Sequence, residues 1–355
     1  MKLKKSFFVG LSALALMACG NGEATESTET TGTTETTEES QATETESPSG
    51  AFTLYTSQPE QDIAQLVEGF NSVYPDVQVD VFRSGTEEVI SKVQAEKETG
   101  DILADALLVS DSFTFEGLAD EDLLQPYESP ELEGIPDVYV DDENLYTGTK
   151  IIATGIAVNT DMVDPATITG FGDLIAEDFR DLVMIPSPLY SGSASLNLSI
   201  IKQQDDLGFE WYEGLHANDV FVGEGNGTVQ TALLDGQEGV GMLVDYMANR
   251  AKADGAPIEF IYPEEGTPYV TEPIGIVNGS DNAELAQLFV DYILSEEGQN
   301  LTSEIGYTPV KEGVSAPEGM LGVDEITPIE FDEQKVMETR EADKEEFAEL
   351  FGAEQ

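Results

Sequence analysis

The alternation of apolar segments between residues 52 and 109 constrains the fold of this chain more than any other feature. Two segments with helical spacing of apolar residues, 63–70 and 90–95, each lie between shorter segments typical of strands. The predicted strands are residues 52–55, 77–82 and 104–109. This β-α-β-α-β order predicts a mostly parallel, doubly wound sheet, on which ligands bind beyond the C-terminal ends of the strands.

The rest of the chain predicts a second unit of the same kind. Residues 151–159 (IIATGIAVN) and 267–279 (TPYVTEPIGIVNG) are long enough to cross between two units, and helices at 282–299 and 331–351 are expected to pack back on the first. The expected fold class is therefore α/β, a two-lobed clamshell with two mostly parallel sheets joined by two crossing strands, a geometry suited to closure around a ligand. The predicted domains are lobe 1, residues 51–158 plus 270–355, and lobe 2, residues 159–269.

The first fifty residues are predicted to lie outside this body. Residues 1–18 combine a basic start, MKLKK, with an apolar stretch too short to span a bilayer comfortably, as in a signal peptide. The sequence Leu16-Met17-Ala18-Cys19-Gly20 resembles a bacterial lipobox, which implies cleavage before Cys19 and a lipid on its thiol. Residues 19–50 are rich in Thr and Glu and predict a disordered tether with a reach of roughly 30 Å.

Composition excludes several classes of function. The net charge of −56 opposes binding to nucleic acid and to anionic lipid. The chain has one histidine, His216, and one cysteine, with no G-x-S-x-G or H-x-x-x-H motif, so the residues needed for triad, thiol or zinc catalysis are missing. We therefore expect no enzymatic activity and no cofactor. An anionic ligand would need a local positive potential inside a cleft.

Small polar residues follow the predicted strands of the first unit. Ser57, Ser84, Thr86 and Asp111 lie at the ends where a ligand is expected, and we take them as candidate ligand-binding residues. Two of these positions also match a capping box, Ser57-x-x-Glu60 and Ser84-x-x-Glu87. Helix capping alone would account for them, so both interpretations remain open.

Two further candidates precede helices of the second unit. In the segment 187–199, SPLYSGSASLNLS, the residues Ser191, Gly192, Ser193 and Ala194 are predicted to present backbone amides at a helix start, where anions are stabilised. The alternative is a serine that merely caps the helix. The segment 222–228, VGEGNGT, is a second glycine-rich helix entry; it contains Asn226 and has the same plain alternative.

Over residues 51–325 the chain resembles the extracellular solute-binding proteins of ABC importers, type II periplasmic binding proteins, in the branch of ferric-ion, thiamine, phosphonate and sugar-phosphate binders. The motifs that carry the resemblance are LYTSQPEQDIAQLVEGFNSVYPDVQV, the SGSA of 191–194, VGMLVDYMANRAKADGAPIEFIYPEEGTP and FVDYILSEEGQNLTSEIGYTPV. The resemblance implies that SGSA is an anion-binding turn, that Asn226 helps to hold the anion, and that Asp245 and Tyr246 face the cleft. Ferric-binding relatives carry two adjacent tyrosines at the last position. This sequence has only Tyr246 there, so no metal ligand is expected unless iron is the cargo.

The resemblance implies capture of a small anion-bearing solute and its delivery to a membrane ABC permease. Because Asp245 would repel a bare phosphate, we expect an organophosphate or phosphonate with a cationic or hydroxyl-rich second half. The alternatives are a ferric-iron binder, a binder of thiamine or its phosphate and, more remotely, a surface adhesion lipoprotein. The expected protein is a monomer, anchored by lipid at Cys19 to the outer face of the cell membrane of a bacterium without an outer membrane.

Overall fold

The computed structural model describes residues 47–322 and 325–352. The predicted signal peptide, Cys19 and most of the predicted tether lie outside the described residues. Gly50, assigned to the tether, begins the first strand instead. No helix within the described ranges is long and apolar enough to cross a membrane.

The described residues form strands and helices that alternate along most of the chain. The strands are β1 Gly50–Thr56, β2 Val77–Arg83, β3 Ala106–Leu108, β4 Leu124–Gln125, β5 Tyr146–Asn159, β6 Val183–Pro186, β7 Phe221–Gly223, β8 Val240–Val244, β9 Ile258–Ile261, β10 Tyr269–Val277 and β11 Thr308–Pro309. The α-helices are α1 Glu60–Val73, α2 Thr86–Thr99, α3 Ser112–Asp120, α4 Gly192–Ile201, α5 Gly208–Ala217, α6 Asn226–Leu234, α7 Asp245–Ala253, α8 Ala283–Leu294, α9 Glu296–Ile305 and α10 Glu333–Phe351.

The strands are hydrogen-bonded in the order β2-β1-β3-β10-β5-β8-β6-β7. We call β2, β1, β3, β10, β4, β11 and the first part of β5 the first sheet, and the last part of β5 with β8, β9, β6 and β7 the second sheet. The change occurs within β5, where Ala153 pairs with Tyr269 of β10 and the next residue, Thr154, pairs with Val244 of β8. All of β5 is buried, as expected for a strand shared by two sheets.

The α/β class predicted from the sequence is confirmed, but the sheets are mixed and not mostly parallel. Parallel pairing is confined to the outer strands, β2-β1-β3 and β8-β6-β7. The crossing strands β5 and β10 run antiparallel to each other and to their neighbours. A strand that returns the chain between two sheets must reverse direction, which the β-α-β pattern alone does not reveal.

The final helix packs differently from the prediction for residues 331–351. The aromatic side chains of Phe347 and Phe351 lie in the hydrophobic cluster under the second sheet, next to Trp211 and Tyr212 of α5. Helix α10 therefore packs mainly on α4 and α5, whereas α8 and α9 pack on α1 of the first-sheet side, as predicted. The sequence was misleading here because a helix that follows the second crossing has apolar positions that fit either side.

Helix α5 contributes two aromatic side chains to the core. Trp211 and Tyr212 are buried, and the indole nitrogen of Trp211 donates to the carbonyl oxygen of Phe171 at 2.7 Å. His216 lies one turn further along, with its ring 5.3 Å from that of Phe351, and does not belong to the lining of the cleft described below.

Candidate ligand-binding cleft

A cavity of about 310 Å³ lies between the two sheets, at the ends of β1, β2, β6 and β8. Residues of both sheets and of the crossing strands contribute to it. Its lining consists of Ser57, Gln58, Pro59, Arg83, Gly85, Thr86, Ser110, Ile152, Tyr190, Ser191, Gly192, Ser193, Glu224, Gly225, Asn226, Gly227, Thr228, Val244, Tyr246, Met247, Glu272 and Tyr307. The volume suits a small molecule.

Five helices begin at this cleft: α1, α2, α4, α6 and α7. Their N-cap residues Pro59, Gly85, Ser191, Gly225 and Val244 all line it. Only Ser191 of α4 makes a side-chain N-cap; in α7 the carboxylate of Asp245 accepts from the Tyr246 amide, and the first amides of α1, α2 and α6 are not satisfied by a capping side chain. Because each helix start carries about half a positive charge, the convergence produces a positive potential without basic side chains.

Of the two interpretations left open at Ser57 and Ser84, the capping boxes do not form. Helix α1 begins after Pro59 and α2 after Gly85, later than either box requires. Ser57 lines the cleft, whereas the hydroxyl of Ser84 donates to Glu88 and does not line it. Thr86 does line the cleft, and its hydroxyl oxygen accepts from the amide of Ser110 at 3.3 Å.

The serine segment forms the start of α4 and contacts Asn226 of α6. The hydroxyl oxygen of Ser191 accepts from the amide of Ala194 at 3.4 Å and from Nδ2 of Asn226 at 3.4 Å. Nδ2 of Asn226 also donates to Ser193 at 3.2 Å, and the two serine oxygens are 3.1 Å apart. Either serine can donate in this contact. When Ser191 is the donor, the oxygen of Ser193 has two donors of its own and its hydroxyl proton is left to donate to a ligand.

One cation lies in the cleft lining. Among the described residues of that lining, Arg83 is the only lysine or arginine. Its Nε donates to the carbonyl of Gln58 at 2.9 Å and its Nη1 to the hydroxyl of Tyr190 at 3.4 Å, so the guanidinium retains free donors. The sequence analysis did not single out Arg83; its position at the end of a predicted strand, just before a helix, was the available signal.

The floor of the cleft, formed by the crossing strands, holds a buried ion pair. Glu272 of β10 pairs with Lys150 of β5, and both side chains are almost completely buried. Nε2 of Gln58 donates to Glu272 Oε2 at 2.8 Å, which fixes the orientation of the amide. Oε1 of Gln58 is buried and has no protein partner, so it remains an acceptor for a donor on the ligand. The sequence analysis missed Gln58, Lys150 and Glu272.

Asp245 does not lie where we expected it. Its carboxylate points into the body behind the cleft, accepting from the amide of Ala153 at 3.3 Å and from its neighbour Tyr246 at 2.8 Å. Burial raises the pKa of Asp245 to about 7. The prediction that this carboxylate faces the ligand is corrected: Glu272 and Glu224 are the carboxylates of the lining. The reason is that Asp245 is the first residue of α7, and the chain turns its side chain toward β5.

Two other predicted residues also lie outside the lining. Asp111 is the N-cap of α3, where it accepts from the amide of Thr114 at 2.8 Å, and it forms an ion pair with Arg340. Ala194 is one residue further into α4 than the lining extends. Of the predicted ligand residues, Ser57, Thr86, Ser191, Gly192, Ser193, Asn226 and Tyr246 are brought together in the cleft.

A second tyrosine accompanies Tyr246. Tyr307, from the turn after α9, stacks on it with ring centroids 4.2 Å apart, and its hydroxyl donates to Asp62 at 2.6 Å. Arg250 holds the same carboxylate with two bonds of 2.8 and 2.9 Å. Burial raises the pKa of both tyrosine hydroxyls, so both phenols stay protonated. The sequence analysis missed Tyr307 because it lies sixty-one residues from its partner in the chain.

The two sides of the cleft touch at glycines. A Cβ on Gly85 would lie 2.5 Å from the carbonyl oxygen of Tyr190, and one on Gly192 would lie 2.8 Å from the hydroxyl oxygen of Thr86. The amide of Glu87 in α2 donates to the same Tyr190 carbonyl at 3.3 Å. The structure is therefore that of a closed cleft whose first-sheet and second-sheet sides are in direct contact.

A closed cleft between two α/β sheets, lined by helix starts, defines a two-lobed periplasmic binding protein. The chain belongs to the family described as bacterial extracellular solute-binding protein, whose model matches residues 98–322. Proteins of this family bind small molecules outside the cytoplasm and deliver them to ABC permeases. They are transport proteins and not enzymes, in agreement with the sequence analysis.

Three relatives indicate the range of ligands. The structure of the periplasmic binding protein AfuA from Actinobacillus pleuropneumoniae with fructose-6-phosphate has a TM-score of 0.78 at 23% identity, covering 86% of this chain and 100% of that one. Iron uptake protein A1 of Synechocystis is 22% identical, over 76% of this chain and 79% of its own. A protein of Salmonella typhimurium provisionally named as a 2-aminoethylphosphonate-binding periplasmic protein is 26% identical, over 70% and 77%.

Proposed function

We propose that this solute-binding protein captures a phosphate ester or a phosphonate whose other end carries hydrogen-bond donors. The observation that carries the proposal is the arrangement at the start of α4. There Nδ2 of Asn226 donates to Ser193, and with Ser191 as the donor of the second contact the hydroxyl proton of Ser193 is uncommitted. Arg83 and the uncapped starts of α2 and α6 face the same cavity. These are all donors, and they match the several acceptor oxygens of a phosphoryl group.

The floor of the cleft supports the second half of the proposal. Oε1 of Gln58 accepts no bond within the protein, and Glu272 beside it carries a charge that Lys150 already balances. A ligand ammonium or hydroxyl would satisfy Gln58 without leaving the ion pair unmatched. The acceptor role that we predicted for Asp245 thus passes to Gln58, beside Glu272, and the expected ligand class is unchanged.

We also propose how capture and delivery proceed. The ligand enters an open form, the first-sheet and second-sheet sides close about β5 and the connection into β10, and the closed form docks on the permease. The lobes would follow the predicted boundaries of 51–158 plus 270–355 and 159–269, except that α10 packs on the second. A lipid at Cys19 would keep a monomer at the outer face of the membrane, raising its effective concentration near the permease.

Ferric iron is the second candidate, because Tyr246 and Tyr307 stack within the lining. Iron prefers phenolate ligands. Here burial raises the pKa of both phenols, and the Tyr307 hydroxyl is already bonded to Asp62. Binding of iron would require both groups to lose a proton and Asp62 to lose a partner, so this candidate ranks below the organophosphorus one.

A panel of ligands tests the proposal. The purified protein is titrated with 2-aminoethylphosphonate, fructose 6-phosphate, thiamine phosphate and ferric citrate, with the melting temperature and calorimetric heat as readouts. We expect at least one organophosphorus compound to bind and Ser193→Ala to weaken its binding. Ferric citrate should cause no melting shift in the parent protein or in Tyr246→Phe. A melting shift with ferric citrate alone, abolished by Tyr246→Phe, would overturn the proposal in favour of iron.

A further inference from the structure

Helix α10 is fixed to the second-sheet side of the molecule. Lys202 at the end of α4 pairs with Asp343 at 2.6 Å and with Glu346, and Ser199 donates to Asp343 at 2.7 Å. Phe347 adds an apolar anchor in the cluster under the second sheet. Helix α10 therefore moves with α4 when the two sides separate. It begins at Glu333, beyond the residues that match the family model.

From this position one arginine reaches across to the first-sheet side. Arg340 donates to both carboxylate oxygens of Asp111, at 2.8 and 2.9 Å, and to Glu87 at 3.2 Å. Lys344, one turn later, donates to the other oxygen of Glu87 at 2.7 Å. The Arg340 side chain is 11% exposed and that of Asp111 is 1% exposed. Burial disfavours the charged arginine, but Asp111 and Glu87 outweigh it and raise its pKa.

The partners of Arg340 lie at the starts of three helices. Asp111 is the N-cap of α3, Glu87 is in the first turn of α2, and Ser195, whose hydroxyl accepts from Nε at 2.9 Å, is in the first turn of α4. Two of these helices, α2 and α4, begin in the cleft. One guanidinium thus sets the distance between the helix starts that face each other across the ligand.

We propose that Arg340, with Lys344, is a latch that holds the cleft closed and positions the starts of α2 and α4 around the ligand. Opening must break the two-bond pair with Asp111 and both bonds to Glu87. Removing one partner of a buried pair of this geometry costs the closed form much of its stability, because the other charge is left unmatched. The latch rests on the closing motion under the proposed function but not on the identity of the ligand.

The test measures closure without ligand. In a full-length Cys19→Ser background, which removes the only cysteine of the chain, labels are placed on two exposed positions through Ser91→Cys on α2 and Thr231→Cys on α6. Distances between the labels are measured by pulsed electron spin resonance. We expect Arg340→Gln to reduce the short-distance population by about tenfold, and Lys344→Gln to reduce it less. Arg180→Gln, which removes an arginine paired with Glu177 and Asp219 on the second-sheet side alone, is the matched control.

A distance distribution in Arg340→Gln that equals the parent's would overturn the latch. If Arg340→Gln does not fold, Asp111→Asn carries the test, since asparagine keeps the α3 cap and removes the charge. The same shift toward long distances is expected, and an unchanged distribution contradicts the proposal. Failure of every organophosphorus compound to bind would instead overturn the proposed function, and these label distances would still decide the latch.

Discussion

The wall and the floor of the cleft are built in opposite ways. The wall at the starts of α4 and α6 presents the hydroxyls of Ser191 and Ser193, the side-chain amide of Asn226 and backbone N–H groups. All of these groups are uncharged. The floor holds a charged pair that is already matched, Glu272 with Lys150, and behind Tyr307 the pair of Arg250 with Asp62 is matched as well. A chain with 71 acidic and 15 basic residues has few cations to place. Within the described residues it uses most of them to neutralise its own carboxylates, and the ligand is left to backbone amides, hydroxyls and Arg83.

If the wall holds the ligand and the floor is structural, closure of the first-sheet and second-sheet sides around the ligand should have the largest effect on affinity. In the closed form, Gly85→Ala would place a Cβ 2.5 Å from the carbonyl oxygen of Tyr190. Separation of the two sides would relieve this clash. We expect affinity for whichever test ligand binds to fall by about 100-fold. Calorimetry measures it, and the ligand-free melting temperature should hold. Gly117→Ala, where no atom lies within 4 Å, is the control. An unaltered affinity in Gly85→Ala would mean that binding needs no such closure.

A floor residue should affect stability before affinity. Glu272→Gln keeps an acceptor for Gln58 but leaves Lys150 buried and unmatched, so the free energy of unfolding should fall by about 3 kcal/mol. Urea denaturation of the ligand-free protein measures this. The double variant Lys150→Met with Glu272→Gln should recover most of the loss. If the single variant is as stable as the parent, the pair is not the structural element that distinguishes floor from wall.

The buried carboxyl group of Asp245 predicts a pH dependence of stability. Its pKa is raised from 3.8 to about 7 by burial, so the folded protein retains a proton that the unfolded chain releases. Stability from this group is complete below pH 3.8 and is lost as the pH rises toward 7. Between pH 5 and pH 7 the loss should be about 2 kcal/mol. Urea denaturation of the parent and of Asp245→Asn isolates this contribution. The difference between their free energies of unfolding should change with pH, and a constant difference would contradict the assignment.

The smallest expected change comes from the wall. Ser193→Ala removes the hydroxyl proton assigned to the ligand, so affinity should fall by about tenfold, with only a small loss of stability from the lost Asn226 bond. Titration calorimetry with the same ligand as for Gly85→Ala gives the value. Ser91→Ala, on the exposed face of α2, is the control. A loss of stability without a loss of affinity would place Ser193 among the structural residues and blur the contrast with the floor.

Local patterns in the sequence predicted the parts of the molecule that local forces determine. The strands and helices of residues 50–109 were found because their apolar spacing is regular, and SGSA was found because small residues before an apolar helix mark an open helix start. The two long segments at 151–159 and 267–279 predicted the two-lobed form, and the resemblance added the roles of Asn226 and Tyr246. These signals brought Ser57, Thr86, Ser193, Asn226 and Tyr246 to the cleft.

The parts that were missed depend on contacts between distant segments. Glu272 meets Gln58 across 214 positions in the chain, and Tyr307 meets Asp62 across 245. Asp111 was assigned to the ligand from its place after a strand, yet it forms an ion pair with Arg340, 229 positions away. The spacing of apolar residues does not predict such pairings. The orientation of Asp245 was likewise decided by the packing of α7 on β5 and not by its neighbours in sequence.

The groups assigned to the anion are backbone amides, hydroxyls and one guanidinium. None of these gains or loses a proton between mildly acidic and strongly alkaline conditions. A change in uptake with external pH would then arise from the ionisation of the cargo, from the lining carboxylates Glu224 and Glu272, or from Asp245 and the latch. A receptor of this design would keep its donors to the anion unchanged in surroundings whose acidity fluctuates.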